Sequence, residues 1–375
     1  MKKFVLIPDS FKGTLSSTKV CDIIEKGILK KYKNANIIKI PVADGGEGSV
    51  DAFIQAVGGE IINVKVSGPY FDKIDSFYGI IDNGECAVIE MAACAGLPLV
   101  EDRKDPSKTT TFGVGELIKD ALNRGVKKII IGLGGSCTND GGTGCAASLG
   151  VVFRNKNGES FIPVGGNLAA IADIDMTKID HRLKDIEIIT MCDIENPLYG
   201  ENGAAYVYGP QKGASPQMVN FLDQNLRSLA EVVEKRLGFK DWDFKGAGAA
   251  GGMGYGMRVF LNSKIQMGIE TVLDITDFDN IIKDADYIIT GEGKIDYQSL
   301  RGKVVIGVAR RAKKQDKKVF AVVGTIGEGA EGAYEEGVTE IIECNCDHLP
   351  FEQIKPRASQ DLERAVSKLI ERLEN

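Results

Sequence analysis

The sequence predicts an α/β protein: a parallel sheet with helices on both faces, built from the two ends of the chain, with the middle inserted as a second domain. Three observations carry this. Short apolar runs bounded by turn residues recur, as in Phe4 to Ile7, Ile37 to Ile40, Ile129 to Ile131, Tyr287 to Thr290 and Phe320 to Val323, which is how buried strands read. Segments with apolar residues at helical spacing alternate with them, implying crossover connections and parallel pairing. Four of the runs lead directly into Gly-rich loops bearing carboxylates or hydroxyls: FVLIPDSFKG (Phe4 to Gly13), IIKIPVADGGEG (Ile37 to Gly48), IIIGLGGSCTNDGGTG (Ile129 to Gly144) and YIITGEGKID (Tyr287 to Asp296).

The elements follow in order. After the first strand, Ser16 or Ser17 can cap a helix whose apolar residues Val20, Ile23, Ile24 and Ile28 share one face. Beyond ADGGEG, a helix through Val50, Phe53, Ile54 and Val57 is stopped by Gly58-Gly59. The middle, from about Val66 to Asp274, is less regular. It holds a strand at Ala87 to Met91, a helix through Val114, Leu117, Ile118, Ala121 and Leu122 opened by Thr110 or Thr111, a strand at Ile186 to Met191, and a helix near Gln217 to Leu237. The last hundred residues return to strict alternation, with helices at Gly302 to Lys314 and Ala358 to Leu373 and strands at Phe320 to Val323 and Glu340 to Cys344. The expected division is 1–65 and 275–375 for the discontinuous domain and 66–274 for the insert.

Composition narrows the function. With 375 residues, 43% hydrophobic and 26% charged, the chain is an ordinary globular protein large enough for two domains. Its 45 glycines make about 12% of the chain, against an average of roughly 7%, and the excess sits in loops after strands. A net charge of −7 argues against a nucleic-acid or membrane-surface partner, which needs a basic face. Eight cysteines show no C-x-x-C spacing, and no apolar run reaches membrane-spanning length, so a cytoplasmic protein with reduced thiols is expected. Only His181 and His348 are present, and neither lies in a Gly-rich loop. Carboxylates must therefore do any acid–base work.

The loops carry the chemistry. In open α/β sheets ligands bind beyond the carboxyl ends of strands, and glycine there lets backbone N–H groups approach an anion. GLGGSCTNDGGTG interleaves glycines with Ser136, Thr138 and Asn139 and leads into small residues from Gly144 that can open a helix toward an anion; a tight packing loop would use the same glycines, but polar residues would then flank rather than interleave. DSFKG sets Asp9, Ser10 and Lys12 beyond the first strand, although Asp and Ser also form turns. ADGGEG puts Asp44 and Glu47 on one turn, suited either to Mg²⁺, which takes few protein carboxylates, or to helix capping. Asp193 ends the strand Ile186 to Met191, and GEGKID offers Glu292, Lys294 and Asp296. A Walker A motif is absent, since Gly302-Lys303 is followed by Val304. GAGAAG (Gly246 to Gly251) matches the dinucleotide fingerprint in form but follows no apolar strand, and reads as a loop.

In order, PDSFKGTLS, ADGGEGSVDAF, IEMA, TTTFGVGELI, GLGGSCTNDGGTG, CDIENPL, GAGAAGGMG and TGEGKIDYQSLRGK resemble the blocks of the bacterial glycerate kinase family (type 1), from Pro8 to beyond Gly324. The resemblance implies a flavodoxin-like three-layer domain from both termini plus an inserted α/β domain with a mixed sheet. It implies ATP-dependent, Mg²⁺-assisted phosphorylation of D-glycerate, with 2-phosphoglycerate favoured over 3-phosphoglycerate. The alternative from another class is a nicotinamide-dependent hydroxy-acid oxidoreductase. One departure is Cys137 in place of the small residue expected there, which puts a reactive thiol near the proposed site. Within the kinase reading, chemistry assigns the roles. Lys12, Asp193 and Asp44 are catalytic candidates. Gly134, Gly135, Ser136, Thr138, Asn139, Gly291 and Glu292 bind the nucleotide. Asp9, Ser10, Lys294 and Asp296 bind glycerate, and Asp44, Glu47 and Asp193 bind Mg²⁺. A homo-oligomer is left open.

Overall fold

In the computed structural model, which describes residues 1–42, 45–46 and 48–373, the chain is mixed α/β and divides into two compact units. The first comprises Met1–Asp44, Asp51–Val57 and Met267–Asn375; the second comprises Gly45–Val50 and Gly58–Gln266.

The first unit holds a five-stranded sheet in the order Val338–Glu343, Val319–Ile326, Tyr287–Ile295, Lys3–Pro8, Asn36–Lys39. Every pairing is parallel. Numbered within the unit, this is the flavodoxin-like order 2-1-3-4-5, whose ligand crevice lies where the chain reverses direction across the sheet, between strands 1 and 3. Alternate residues of the first strand face opposite layers. Phe4 and Leu6 share a buried core with Ile24 and Ile28 of helix Ser17–Lys31 and with Val366 and Leu369 of helix Ala358–Arg372. Ser16 caps the former helix, its Oγ accepting from Lys19 N at 3.3 Å. On the other face, helix Val304–Lys313 packs on the strands and on helix Gly268–Ile275.

The strand expected to end at Thr290 continues to Ile295. Its register with Val319–Ile326 persists, pairing Lys294 with Thr325, while pairing with the first strand stops at Gly291. Glu292 to Lys294 are therefore strand residues paired along one edge only.

The second unit contains a six-stranded sheet in the order Lys264–Gln266, Glu187–Met191, Lys128–Gly132, Cys86–Glu90, Lys73–Ile81, Glu60–Ser67. The first four are parallel and the last two antiparallel, which makes the sheet mixed. A small sheet of Ser160–Phe161, Val152–Arg154 and Asp173–Asp175 accompanies it. The core gathers Ile89, Ile129 and Ile131 from the strands with Leu117 of helix Phe112–Asn123 and Leu226 of helix Pro216–Leu237.

GAGAAG is a turn, as expected, with Gly246, Ala250 and Gly251 at positive φ. It turns directly into helix Ala249–Leu261, through left-handed Ala250, Gly251 and Gly252. No strand precedes it, so the dinucleotide motif is absent in three dimensions as well. The glycines that argue against a helix here are steric necessities: a Cβ on Gly256 would stand 2.4 Å from Gly141 O, and one on Gly254 would stand 2.1 Å from Gly246 O.

Gly324 gives a direct test of strand packing at the ligand end of the first sheet. A Cβ there would lie 2.3 Å from the carbonyl oxygen of Gly293 on the neighbouring strand. Overpacking of this kind costs roughly 1–3 kcal/mol. Gly324→Ala is expected to lower the thermal unfolding midpoint by several degrees; an unchanged midpoint would show that the strands separate freely there.

Candidate active site

In the first unit, the loop and the strand end predicted to carry substrate groups lie side by side. The backbone of Asp9 continues the sheet, its N–H donating to Gly291 O at 2.8 Å. The Asp9 carboxylate then turns the chain by accepting from Ser10 N at 2.6 Å. Phe11 and Leu15 close a tight loop, with Thr14 Oγ1 donating to Phe11 O at 2.7 Å. Lys12 and Gly13 stand exposed at its tip. Gly13 is required there: its φ is +78° and a Cβ would come within 2.8 Å of the Phe351 ring.

Glu292 is the most perturbed acid of this unit. It is 5% exposed, and its Oε1 has no hydrogen-bond partner among the described residues. Burial pushes its carboxyl up to about 7; the Ser299 hydroxyl and the Lys303 ammonium oppose the shift, while Asp9 and Asp296 reinforce it. Asp296, just past the strand's end at Ile295, behaves oppositely. Burial works against its charge, but Lys294 Nζ at 2.9 Å and the N–H of Gln298 at 2.9 Å hold the carboxylate below its usual range. Two carboxyls of one segment are thus driven apart, an arrangement typical of functional sites.

In the second unit, the Gly-rich loop is organised by Asp140, which has no exposed surface. Its carboxylate accepts from Thr111 N and Thr111 Oγ1, both at 2.8 Å, from Gly142 N at 3.1 Å and from Gly144 N at 3.3 Å. Burial nevertheless raises its pKa, against those donors. Thr111 N-caps helix Phe112–Asn123 by position without a side-chain cap bond; its hydroxyl also accepts from Cys145 N at 2.9 Å, in the first turn of helix Thr143–Ser148. The loop's beginning is set by backbone contact. Gly134 N donates to Gly45 O at 3.0 Å, and a Cβ on Gly132 would meet Gly45 O at 2.2 Å, one on Gly134 the Gly46 Cα at 2.5 Å.

The predicted nucleotide residues of this loop are unequally placed. Gly135 is exposed and Gly134 half-buried, whereas Ser136 is 6% exposed and Thr138 and Asn139 are fully buried. Neither Asn139 Nδ2 nor Oδ1 has a hydrogen-bond partner among the described residues. A buried amide left so calls for a ligand or water to complete it. Ser136 Oγ and Thr138 O accept from Lys212 Nζ at 2.9 and 2.6 Å. Lys212 is 2% exposed, on the turn Pro210–Lys212; burial lowers its pKa to about 8, with Cys137 and Asp140 leaning the other way. Sequence reasoning missed it, because a lone lysine 76 positions from its partner leaves no pattern.

Asp193 is exposed on the loop beyond strand Glu187–Met191. Asp44 and Glu47 lie outside the described residues. Among the described residues, no group of three or more His, Cys, Asp or Glu side chains gathers to hold a metal. The thiol of Cys137 is not reactive as expected: it is 1% exposed, and burial pushes its pKa up to about 12.

The family model described as the glycerate kinase family matches residues 4–374. The chain is 42% identical to a glycerate kinase of Bacillus subtilis strain 168, over 97% of this chain and 96% of that one. It is 45% identical to the glycerate 2-kinase of Escherichia coli K12, over 90% and 89%. The crystal structure of a protein described as a glycerate kinase 2 from Salmonella typhimurium LT2 superposes with a TM-score of 0.86 at 39% identity, covering 100% of this chain and 98% of that one.

The raised Glu292 carboxyl makes stability depend on pH in a definite direction. Its ordinary pKa is 4.5 and its folded value about 7. Between these values the folded chain holds a proton that the unfolded chain releases, so stability falls as pH rises through this window. Glu292→Gln removes the penalty. Relative to the parent, the variant is expected to gain thermal midpoint progressively from pH 4.5 to 7 and no further above about 8. A pH-independent difference between the two proteins would show that Glu292 ionises normally.

Proposed function

The chain belongs to the glycerate kinase family and is an enzyme of that class, and we propose that it transfers the γ-phosphoryl group of ATP to D-glycerate, with 2-phosphoglycerate as the favoured product and 3-phosphoglycerate as the alternative. The observation that carries the reading is the family match over residues 4–374. The ligand end of a flavodoxin-order sheet, lined by Asp9, Lys12, Glu292, Lys294 and Asp296, supports it. No observation favours the nicotinamide-dependent alternative.

Phosphoryl transfer is mostly positioning and charge neutralisation. Gly134, Gly135, Ser136, Thr138, Asn139, Gly291 and Glu292 hold the nucleotide. The orphaned amide of Asn139 and the lysine-backed hydroxyl of Ser136 fit phosphate oxygens. Asp9, Ser10, Lys294 and Asp296 hold glycerate. Lys12 neutralises the charge that spreads over the transferring group. Asp193 or Asp44 orients the accepting hydroxyl or receives its proton. Asp44, Glu47 and Asp193 hold Mg²⁺, an ion that takes one or two protein carboxylates alongside phosphate and water; when bound it supplies positive charge to the phosphates. No described helix is long and apolar enough to cross a membrane, and we place the reaction in the cytoplasm.

ADP release from ATP should require glycerate, and phosphorus NMR of the product should show 2-phosphoglycerate. ATP turnover indifferent to glycerate would sink the reading. Asp193→Asn is expected to lose about 10²–10⁴-fold in kcat, the usual range for general-base assistance, with an unaltered thermal midpoint. Near-normal turnover with ordinary Mg²⁺ dependence would remove Asp193 from the machinery. Lys12→Met should lower kcat and kcat/KM together, as expected for a contact made in the transition state. A raised KM for glycerate at constant kcat would reassign Lys12 to the substrate carboxylate, and no change in either constant would dismiss it.

A further inference from the structure

We propose that Lys212 is a positioning residue whose buried ammonium commits the hydroxyl of Ser136 as a donor to an anionic oxygen of a ligand held at the Gly-rich loop, an inference that rests on the phosphoryl-transfer reading above. The geometry carries it. An ammonium has donors only, so at the 2.9 Å contact Lys212 Nζ donates and Ser136 Oγ accepts. The hydroxyl's own hydrogen must then point elsewhere, and among the described residues no acceptor meets it. The second bond, 2.6 Å to Thr138 O, anchors the ammonium to the loop backbone on the other side of Cys137. Lys212 therefore spans the three residues that would face an anion and fixes both their shape and the sense of the hydrogen bond.

Burial makes this arrangement costly without a use. Lys212 is 2% exposed, and the charged and titratable groups acting on it are Asp140, whose carboxylate is already engaged by four donors, and the protonated thiol of Cys137. Neither forms an ion pair with it. A charge desolvated to this degree is normally paired; here its partners are a hydroxyl and a carbonyl. An anion at Ser136 would complete the pairing through the hydroxyl, a charge-assisted hydrogen bond of the stronger kind. The adjoining residues agree. Asn139 carries two orphaned buried amide atoms, and Gly135, just before Ser136, is exposed, so the loop reaches solvent where the hydroxyl lies.

The anionic oxygen can belong to a phosphate of ATP or to the carboxylate of glycerate, and binding measurements separate the two. ATP and glycerate are titrated separately by calorimetry into the full-length parent, Ser136→Ala, Lys212→Met and the double variant, with thermal midpoints taken on each. Ser136→Ala and Lys212→Met should each weaken one of the two ligands by about 10-fold or more, a change of roughly 1.4 kcal/mol per decade. The double variant should bind that ligand no more weakly than Ser136→Ala alone, because the lysine acts through the serine. Weakened ATP identifies a phosphate oxygen; weakened glycerate identifies the carboxylate. Multiplicative losses in the double variant would overturn the proposal, since the two residues would then act independently. Parent-like binding of both ligands by Ser136→Ala would overturn it even if Lys212→Met failed to fold. If the parent binds an anion in this pattern yet releases no glycerate-dependent ADP, the loop assignment stands and the phosphoryl-transfer reading fails.

Discussion

The buried carboxylate of Asp140 is the constraint on which the second unit's Gly-rich loop depends. A chain that runs through GLGGSCTNDGGTG has little side-chain volume to hold it, and glycine carries the largest entropic penalty for being ordered. Asp140 supplies the missing order by accepting four hydrogen bonds from two separate segments, the Thr111 turn and the start of helix Thr143–Ser148. The glycines do the complementary work. At 132 and 134 they admit the backbone of Gly45 and Gly46, and at 256 the helix admits the backbone of Gly141. The loop is therefore rigid because its neighbours are close and its carboxylate is saturated, not because it is bulky.

Two titratable groups displaced toward neutrality in the candidate-site segments, Glu292 in the first unit and Lys212 in the second, share one cause. Desolvation disfavours the charged form of each, raising the acid to about 7 and lowering the base to about 8. Both therefore change protonation near neutrality, where an exposed carboxyl or lysine would not. Their surroundings differ. Glu292 stands among Asp9, Asp296 and Lys303 with one oxygen unpartnered among the described residues, while Lys212 has two well-formed bonds to a single loop.

The α/β class and the parallel pairing were legible because buried strands such as Phe4 to Ile7 and Ile129 to Ile131 are short, apolar and punctuated by glycine; the mixed sheet was implied only by the family resemblance. The antiparallel pair Glu60–Ser67 and Lys73–Ile81 was not, since a half-exposed strand such as EIINVKVS mixes charges into its pattern. The continuation of strand Tyr287–Ile295 through GEGK was hidden for a related reason: a glycine-rich, charged stretch reads as a loop unless an equally long neighbour is known to pair with it. GAGAAG was legible as a turn, whereas the helix that follows it was not, because close packing there tolerates Gly254 and Gly256, which intrinsic propensity disfavours. Among the candidate-site residues, those in motifs could be named from the sequence. The part played by Asp140 and the presence of Lys212 were not, since each depends on partners brought from distant segments.

The position of the first strand has a consequence for how the protein is made. Lys3–Pro8 lies between Asn36–Lys39 and Tyr287–Ile295, and Phe4 pairs with Tyr287. During synthesis at about 5–20 residues per second, roughly 15–60 s pass before that partner emerges. Through this interval an apolar strand with one edge unsatisfied must remain soluble, while the second unit, encoded almost entirely in between, can complete its own core. The order of assembly on the ribosome thus runs from the inside of the sequence outward, and the nascent chain's vulnerable surface is its N-terminal strand. A chaperone that holds short extended apolar segments would act there first.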